Sequence, residues 1–145
     1  MHRKTAYLAV MMALFLSSSA LARNTLHQFP AADVLNDPAF ASQVSGVSFY
    51  FGNSEHPAVA QQFGEYRTNK KTNAFNKSDE EACRWVFKSA ILALHSRAVS
   101  LGANAVINIR SNYKNNVTVS DTDYTCGAGG LMAGVALIGD FVKVE

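Results

Sequence analysis

Five glycines lie among residues 126–141, in the stretch CGAGGLMAGVALIGDF, where they could form a phosphate-binding loop. Gly129 and Gly134 have the G-x-x-x-x-G spacing, but a nucleotide loop continues with lysine and then serine or threonine. This sequence has valine and alanine there, and VALIGDFVKVE has the composition of a strand rather than of the helix that holds a phosphate. We therefore predict a packing strand from about Leu131 to Val144, whose glycines permit bulges and close approach.

The two cysteines, Cys83 and Cys126, are 43 positions apart. An even number of cysteines in an exported chain predicts one disulfide. A zinc site is the weaker alternative, because the sequence has no C-x-x-C pair and no nearby histidine pair. A free Cys83 would instead be a small, inert core residue.

The histidines beyond the N-terminal segment are His27, His56 and His95. His95 lies beside the apolar stripe of a predicted helix and is expected to be half-exposed. His56 could join Glu55 at a metal ion, but a pair of ligands is a weak site, and a solvated loop is the preferred interpretation. No Ser-His-Asp or Cys-His arrangement stands out, so we predict no catalytic residue, no metal ligand and no cofactor.

A basic segment is the best candidate for a binding surface. It combines four cations with two aromatic residues: Tyr66, Arg67, Lys70, Lys71, Phe75 and Lys77. Asparagines between them add hydrogen-bonding capacity, so the segment could bind a phosphate, a polysaccharide or the acidic face of a partner. The alternative is a solvated loop that precedes a helix.

The N-terminus has the layout of a signal peptide. A basic start is followed by twelve apolar residues, Thr5–Leu16, and by the small-x-small pattern that ends at Ala22. Twelve residues are too few for a membrane span, which needs about 20, and no cysteine follows Ala22 to carry a lipid. We predict cleavage between Ala22 and Arg23, a periplasmic or secreted protein, and no membrane anchor after cleavage.

Removal of residues 1–22 also removes the excess of positive charge. The rest of the chain, residues 23–145, has 11 basic and 11 acidic residues, and it is long enough for one domain. No basic stripe remains that would indicate nucleic-acid binding.

The strongest element is a helix from Asp79 to Leu101. Ser78 and Glu81 have the spacing of a capping box, and acidic residues fill the first turn. Apolar residues recur at intervals of three and four along one face, and Gly102 suits the left-handed residue that ends a helix. The stripe consists of Cys83, Val86, Phe87, Ala90, Ile91, Leu94, Ala98 and Leu101.

Strands are predicted on both sides of this helix. ANAVINIRSNY alternates directly after the helix, and NNVTVSDTDYT supplies short extended pieces around the turn at residues 120–123. Upstream we predict strands at Val44–Phe51 and near Phe63–Thr68, with irregular structure in the rest of the polar stretch up to Ser78.

The helix and the closing strand resemble the YbjQ-type heavy-metal-binding domain. The shared features are LGANAV at Leu101–Val106, where the helix passes into a strand, and GDFVK at Gly139–Lys143. The envelope stress sensor RcsF has a similar junction. The resemblance implies an α+β fold and an envelope location. The metal role of the first family and the lipid anchor of the second do not carry over, because the matching positions supply neither.

A second resemblance covers about Phe63–Val144. RTNKKTNAFNKSDEEACRW and YTCGAGGLMAGVAL are similar to small exported bacterial proteins that often bear the label "excinuclease ATPase subunit". That activity conflicts with this sequence, which has no nucleotide loop and no zinc-finger cysteines. The resemblance brings no catalytic residue.

These patterns together predict an α+β protein in which a small antiparallel or mixed sheet packs on one long amphipathic helix, around a β-α-β-β core. The expected function is non-enzymatic binding of an envelope protein or cell-wall component through the Tyr66–Lys77 segment, with homo-oligomers through sheet edges as a further option. A metal- or small-ligand-binding module is the alternative, and an enzyme is the third.

Overall fold

A computed structural model describes residues 23–145, so the predicted signal peptide and its cleavage site at Ala22 lie outside the described residues. The chain forms seven strands, one long helix and two short helices. In chain order these are β1 (Thr25–Pro30), α1 (Ala32–Leu35), α2 (Pro38–Gln43), β2 (Ser48–Phe51), β3 (Val59–Asn73), α3 (Asp79–Leu101), β4 (Ala105–Tyr113), β5 (Asn116–Thr118), β6 (Asp123–Ala128) and β7 (Met132–Val144).

The strands form one curled, mixed sheet. Its path is β1-β6-β7-β4-β2, while β3 pairs with β7 and β5 pairs with β4. Only the β2–β4 pair is parallel among the pairings of the described chain. The prediction of an α+β fold with a mixed sheet and one main helix is therefore confirmed.

The central strand is β7, which β3 follows along its whole length. Its remaining pairings are divided between two strands: β6 pairs with Ala133 and Gly134, and β4 pairs with Leu137–Val142. The sheet therefore forks at the middle of β7. The prediction of a closing strand from about Leu131 to Val144 is confirmed to within one residue.

The helix α3 has the predicted bounds. The Ser78 hydroxyl accepts a hydrogen bond from the Glu81 amide at 3.1 Å, and Gly102 ends the helix with φ of 80°. The predicted stripe faces the sheet and is buried up to Ala98, and Ala82 is buried with it, while Leu101 is partly buried. Burial of this face against the sheet is the main stabilisation of the helix.

The core lies between α3 and the inner face of the sheet, and a disulfide ties the two together. Cys83 on α3 bonds to Cys126 on β6, with the two Cα atoms 5.9 Å apart, which confirms the predicted pairing. Beside it the rings of Phe87 and Tyr124 stack with centroids 3.8 Å apart. Burial raises the pKa of the Tyr124 phenol far above its usual range, so this group stays neutral.

The predictions for the first half of the chain were incomplete. The strand expected at Val44–Phe51 contains only the last four residues, because α2 ends at Gln43. Asp37 and Pro38 are a helix-start signal that the sequence analysis did not use: the Asp37 carboxylate accepts from the Ala39 amide at 3.0 Å, and Pro38 begins α2. The strand expected near Phe63–Thr68 is fifteen residues long, and β1 was not predicted at all.

Candidate functional site

The glycines of the 126–141 tract make room for the ring of Tyr113. A Cβ atom on Gly127 would overlap the end of that ring and lie 2.6 Å from its Cε1 atom, and one on Gly134 would lie 3.4 Å from Cε2. Gly127 and Gly134 are paired across β6 and β7. Tyr113 therefore lies over a glycine pair, and its hydroxyl donates to Asn24 Oδ1 at 2.9 Å.

This ring lies on the face of the sheet that is turned away from α3. Side chains alternate between the two faces of a strand, and Ala133 and Val135 belong to the core beneath α3. Gly134 between them must face the opposite side, and so must its cross-strand partner Lys71.

An open groove with a volume of about 610 Å³ lies next to Tyr113 on this outer face. Its floor is mostly glycine and alanine backbone, and its surface is mostly apolar. The residues that line it are Arg23, Asn24, Lys71, Tyr113, Gly127, Gly129, Gly130, Leu131, Met132, Ala133 and Gly134. The volume falls within the range of about 300–1,000 Å³ that is common for small-ligand sites.

The wall formed by the N-terminal segment is fixed to the start of α3. The Arg23 guanidinium donates two hydrogen bonds to the Asp79 carboxylate at 2.8 and 2.9 Å. His27 Nε2 lies 2.8 Å from the same carboxylate. The bonds from Arg23 and then from His27 hold the pKa of Asp79 well below its usual range. Arg23 is therefore a neutralised part of the wall rather than a free cation.

The structure brings one residue of the predicted basic segment to the groove. Lys71 lines it, is exposed, and has no hydrogen-bond or ion-pair partner among residues 23–145. No acidic side chain of the described chain lines the groove, and Lys114 adds positive charge, with its Nζ atom 5.7 Å from the centre of the Tyr113 ring. The groove therefore combines an apolar floor with a positive rim.

The other predicted binding residues lie elsewhere, because Tyr66–Asn73 belongs to β3 and is not a loop. Tyr66 is half-buried on the helix side: its ring meets Phe141 edge to face at 5.2 Å, and the Arg97 guanidinium lies over it. The polarity of this segment and its lack of apolar periodicity favoured a solvated loop. In the structure its residues instead pair with β7 as a strand.

The remaining members of the predicted segment are exposed but do not line the groove. Arg67 lies on the outer face of β3 beside Glu65, with a nitrogen–oxygen distance of 3.7 Å. Phe75 and Lys77 lie in the connection to α3, where Phe75 is 59% exposed and Lys77 donates to the Asn73 carbonyl at 3.1 Å. Lys70 is exposed on β3.

A second cluster of charges lies at the other end of the outer face. Arg110 donates to Glu65 Oε2 at 2.7 Å and to the Asn108 carbonyl at 2.9 Å, and it lies 3.8 Å from Asp140. Asn108 has a φ of 50° in the irregular part of β4, where it donates to Asp140 at 3.2 Å. Each charge there has a partner, so the cluster stabilises the curled sheet and offers no free group.

The histidines do not converge. His56 is exposed and contacts the carbonyl of Pro57 at 2.8 Å, while His95 is half-buried and lies 3.0 Å from the carbonyl of Ser45. Within residues 23–145, no group of three histidine, cysteine or carboxylate side chains is arranged to hold a metal ion.

No sequence pattern indicated directly that Tyr113 or Asn24 belongs to a site. Tyr113 ends a strand with ordinary alternation, and its role depends on a glycine pair contributed by two later strands. The density of glycines was the one available signal, since glycine within strands marks close approach of another group.

No family model, curated protein or solved structure matches this chain. The resemblances to the YbjQ-type domain, to RcsF and to the exported proteins labelled as excinuclease subunits therefore stay predictions. In the part of the chain that the structure describes, no helix is long and apolar enough to cross a membrane.

Proposed function

We propose that this protein is a non-enzymatic binding domain of the bacterial envelope, exported to the periplasm, and that the groove beside Tyr113 is its binding site. The observation that carries the proposal is the groove itself. It is an apolar surface whose rim carries positive and no negative side chains of the described residues. At this rim Lys71 has no protein partner within residues 23–145. An exposed apolar surface that is rimmed by polar residues is typical of a ligand-binding groove or an interaction site.

The arrangement supports binding rather than catalysis. The groove's polar side chains are Arg23, Asn24, Lys71 and Tyr113, and the first two are engaged with Asp79 and Tyr113. Histidine and the carboxylates, which are frequent general bases in enzymes, are absent from these four side chains.

A second candidate is docking of an envelope protein along β3. This strand pairs with β7 on one side, and the described chain places no strand on its other side. Exposed main-chain groups at an edge can pair with a strand of a partner or of a second copy. The Arg67 and Lys70 side chains would favour an acidic partner there.

Site-specific photo-crosslinking in living cells tests the groove. A photoreactive phenylalanine analogue replaces Met132, which is 50% exposed at the groove, and in a control it replaces Val99, which is 60% exposed on α3. We expect adducts at Met132 and few at Val99, detected by intact mass for small ligands and by gel shift for proteins. Equal adduct yields at the two positions would contradict the proposal.

The same preparation tests export. N-terminal sequencing of the protein from the periplasmic fraction should begin at Arg23. Retention of Met1, or recovery of the protein in the cytoplasmic fraction, would contradict the location.

A further inference from the structure

We infer that the ligand of the groove is a single-chain anionic amphiphile, an acyl chain that ends in a carboxylate. The chain would lie along the glycine floor, and the carboxylate would lie beside Lys71. This inference rests on the proposed function, because it assigns a chemical class to the ligand of the same groove.

Most backbone hydrogen-bonding groups of the floor are engaged within the protein. Gly127 and Gly134 pair with each other across β6 and β7, as do Ala128 and Ala133. At the turn, the Gly129 amide donates to the Met132 carbonyl at 2.8 Å. Polar groups that lose water without gaining a partner are costly to bury. An acyl chain loses no hydrogen bonds on such a floor, whereas the amides of a peptide would.

The polar groups at the rim are mainly donors. The Asn24 side-chain oxygen already accepts a hydrogen bond from the Tyr113 hydroxyl, its amide nitrogen can donate, and Lys71 presents an ammonium group. Both are hydrogen-bond donors, and neither can serve a peptide N–H group. A carboxylate has only acceptors, so it complements these groups in hydrogen bonding as well as in charge.

The distribution of charges at the groove rim also favours an anionic amphiphile. Lys71 lines the groove, Lys114 lies over the Tyr113 ring, and no carboxylate of the described residues lines the groove. Arg23 would add a full charge, but Asp79 neutralises it. The net charge at the rim is therefore positive. A cationic or a neutral amphiphile with the same chain would lack the favourable electrostatic attraction to the rim.

Calorimetric titration of the mature protein, purified from the periplasm and delipidated, tests this with three probes that share one alkyl chain. These are dodecanoate, dodecyl maltoside and dodecyltrimethylammonium, each kept below its micellar concentration. We expect dodecanoate to bind at least about tenfold more tightly than either of the others. Equal affinity for all three, or no binding of dodecanoate, would overturn the inference. An acidic peptide that binds while dodecanoate does not would also overturn it.

Three variants test where dodecanoate binds. Lys71→Glu should weaken dodecanoate at least about tenfold, since it replaces attraction by repulsion. Lys143→Glu makes the same charge change at an exposed position of β7 outside the groove and should leave binding unchanged. Gly134→Val, which adds a side chain to the floor, should reduce binding while keeping the strand, and denaturation of each variant checks the fold. Identical effects of the two lysine changes would contradict binding at the groove.

The two proposals fail separately. Crosslinks at Met132 without dodecanoate binding would keep the groove as the site and reject the amphiphile. Failure to crosslink at Met132 would reject the groove, whatever dodecanoate does.

Discussion

Replacement of Gly127 by alanine tests whether a glycine at this position is required for the Tyr113 ring to pack against the sheet. The new methyl group would overlap the ring, so the ring must leave the sheet. Tyr113 is half-buried and loses about 1 kcal/mol of apolar burial. The loss of its hydrogen bond to Asn24 costs about 1 kcal/mol more. Alanine returns about 0.5 kcal/mol by restricting the unfolded chain, so the expected net destabilisation is about 1.5 kcal/mol.

Urea denaturation of four proteins measures this: the wild type, Gly127→Ala, Tyr113→Ala and the double variant. Once Tyr113 is gone, Gly127→Ala should be neutral or slightly stabilising, which gives a coupling energy of about 2 kcal/mol. Gly130→Ala is the matched control, because a Cβ atom there meets nothing within 4 Å. A coupling energy below about 0.5 kcal/mol would refute the seating of Tyr113 on the glycine pair.

Two further predictions concern what holds the sheet to α3. Loss of the disulfide in Cys83→Ser should lower the free energy of unfolding by about 4 kcal/mol, as expected for a cross-link that spans 43 residues, and an unchanged denaturation midpoint would contradict this. Asp79 has a lowered pKa in the folded state, so its stabilisation is complete above the unfolded pKa of about 3.9 and is lost as the pH falls towards the lowered value. Asp79→Asn should therefore flatten the fall in stability between about pH 5 and pH 2, as followed by denaturation at several pH values, and equal slopes in the two proteins would refute the role of this carboxylate.

Local patterns in the sequence determined the helix, the last strand and the disulfide. The bounds of α3 follow from the Ser78 cap and Gly102, which act through hydrogen bonds and backbone geometry within a few residues. Alternation was sufficient for β4, because one of its faces is buried. The pairing of Cys83 with Cys126 followed from there being only two cysteines.

Local patterns could not determine β3. Its polar residues alternate with few apolar ones, because it lies at an edge with most of its surface in solvent. Its extended form depends on the ladder to β7, which is more than fifty residues later in the chain. Strand pairing over such distances is a property of the whole fold, and the preference of single residues for strands is weak beside it.

The candidate site was likewise predictable only in part from the sequence. The sequence by itself determined that the glycines of residues 126–141 do not form a nucleotide loop and that Lys71 is a candidate binding residue. Only the tertiary structure decided that Lys71 and the glycines meet, since β3, β4, β6, β7 and the N-terminal segment each contribute to one groove. It also placed the half-buried rings of Tyr66 and Tyr113 on opposite faces of the sheet, because strand order, rather than residue type, sets which face of the sheet a side chain occupies.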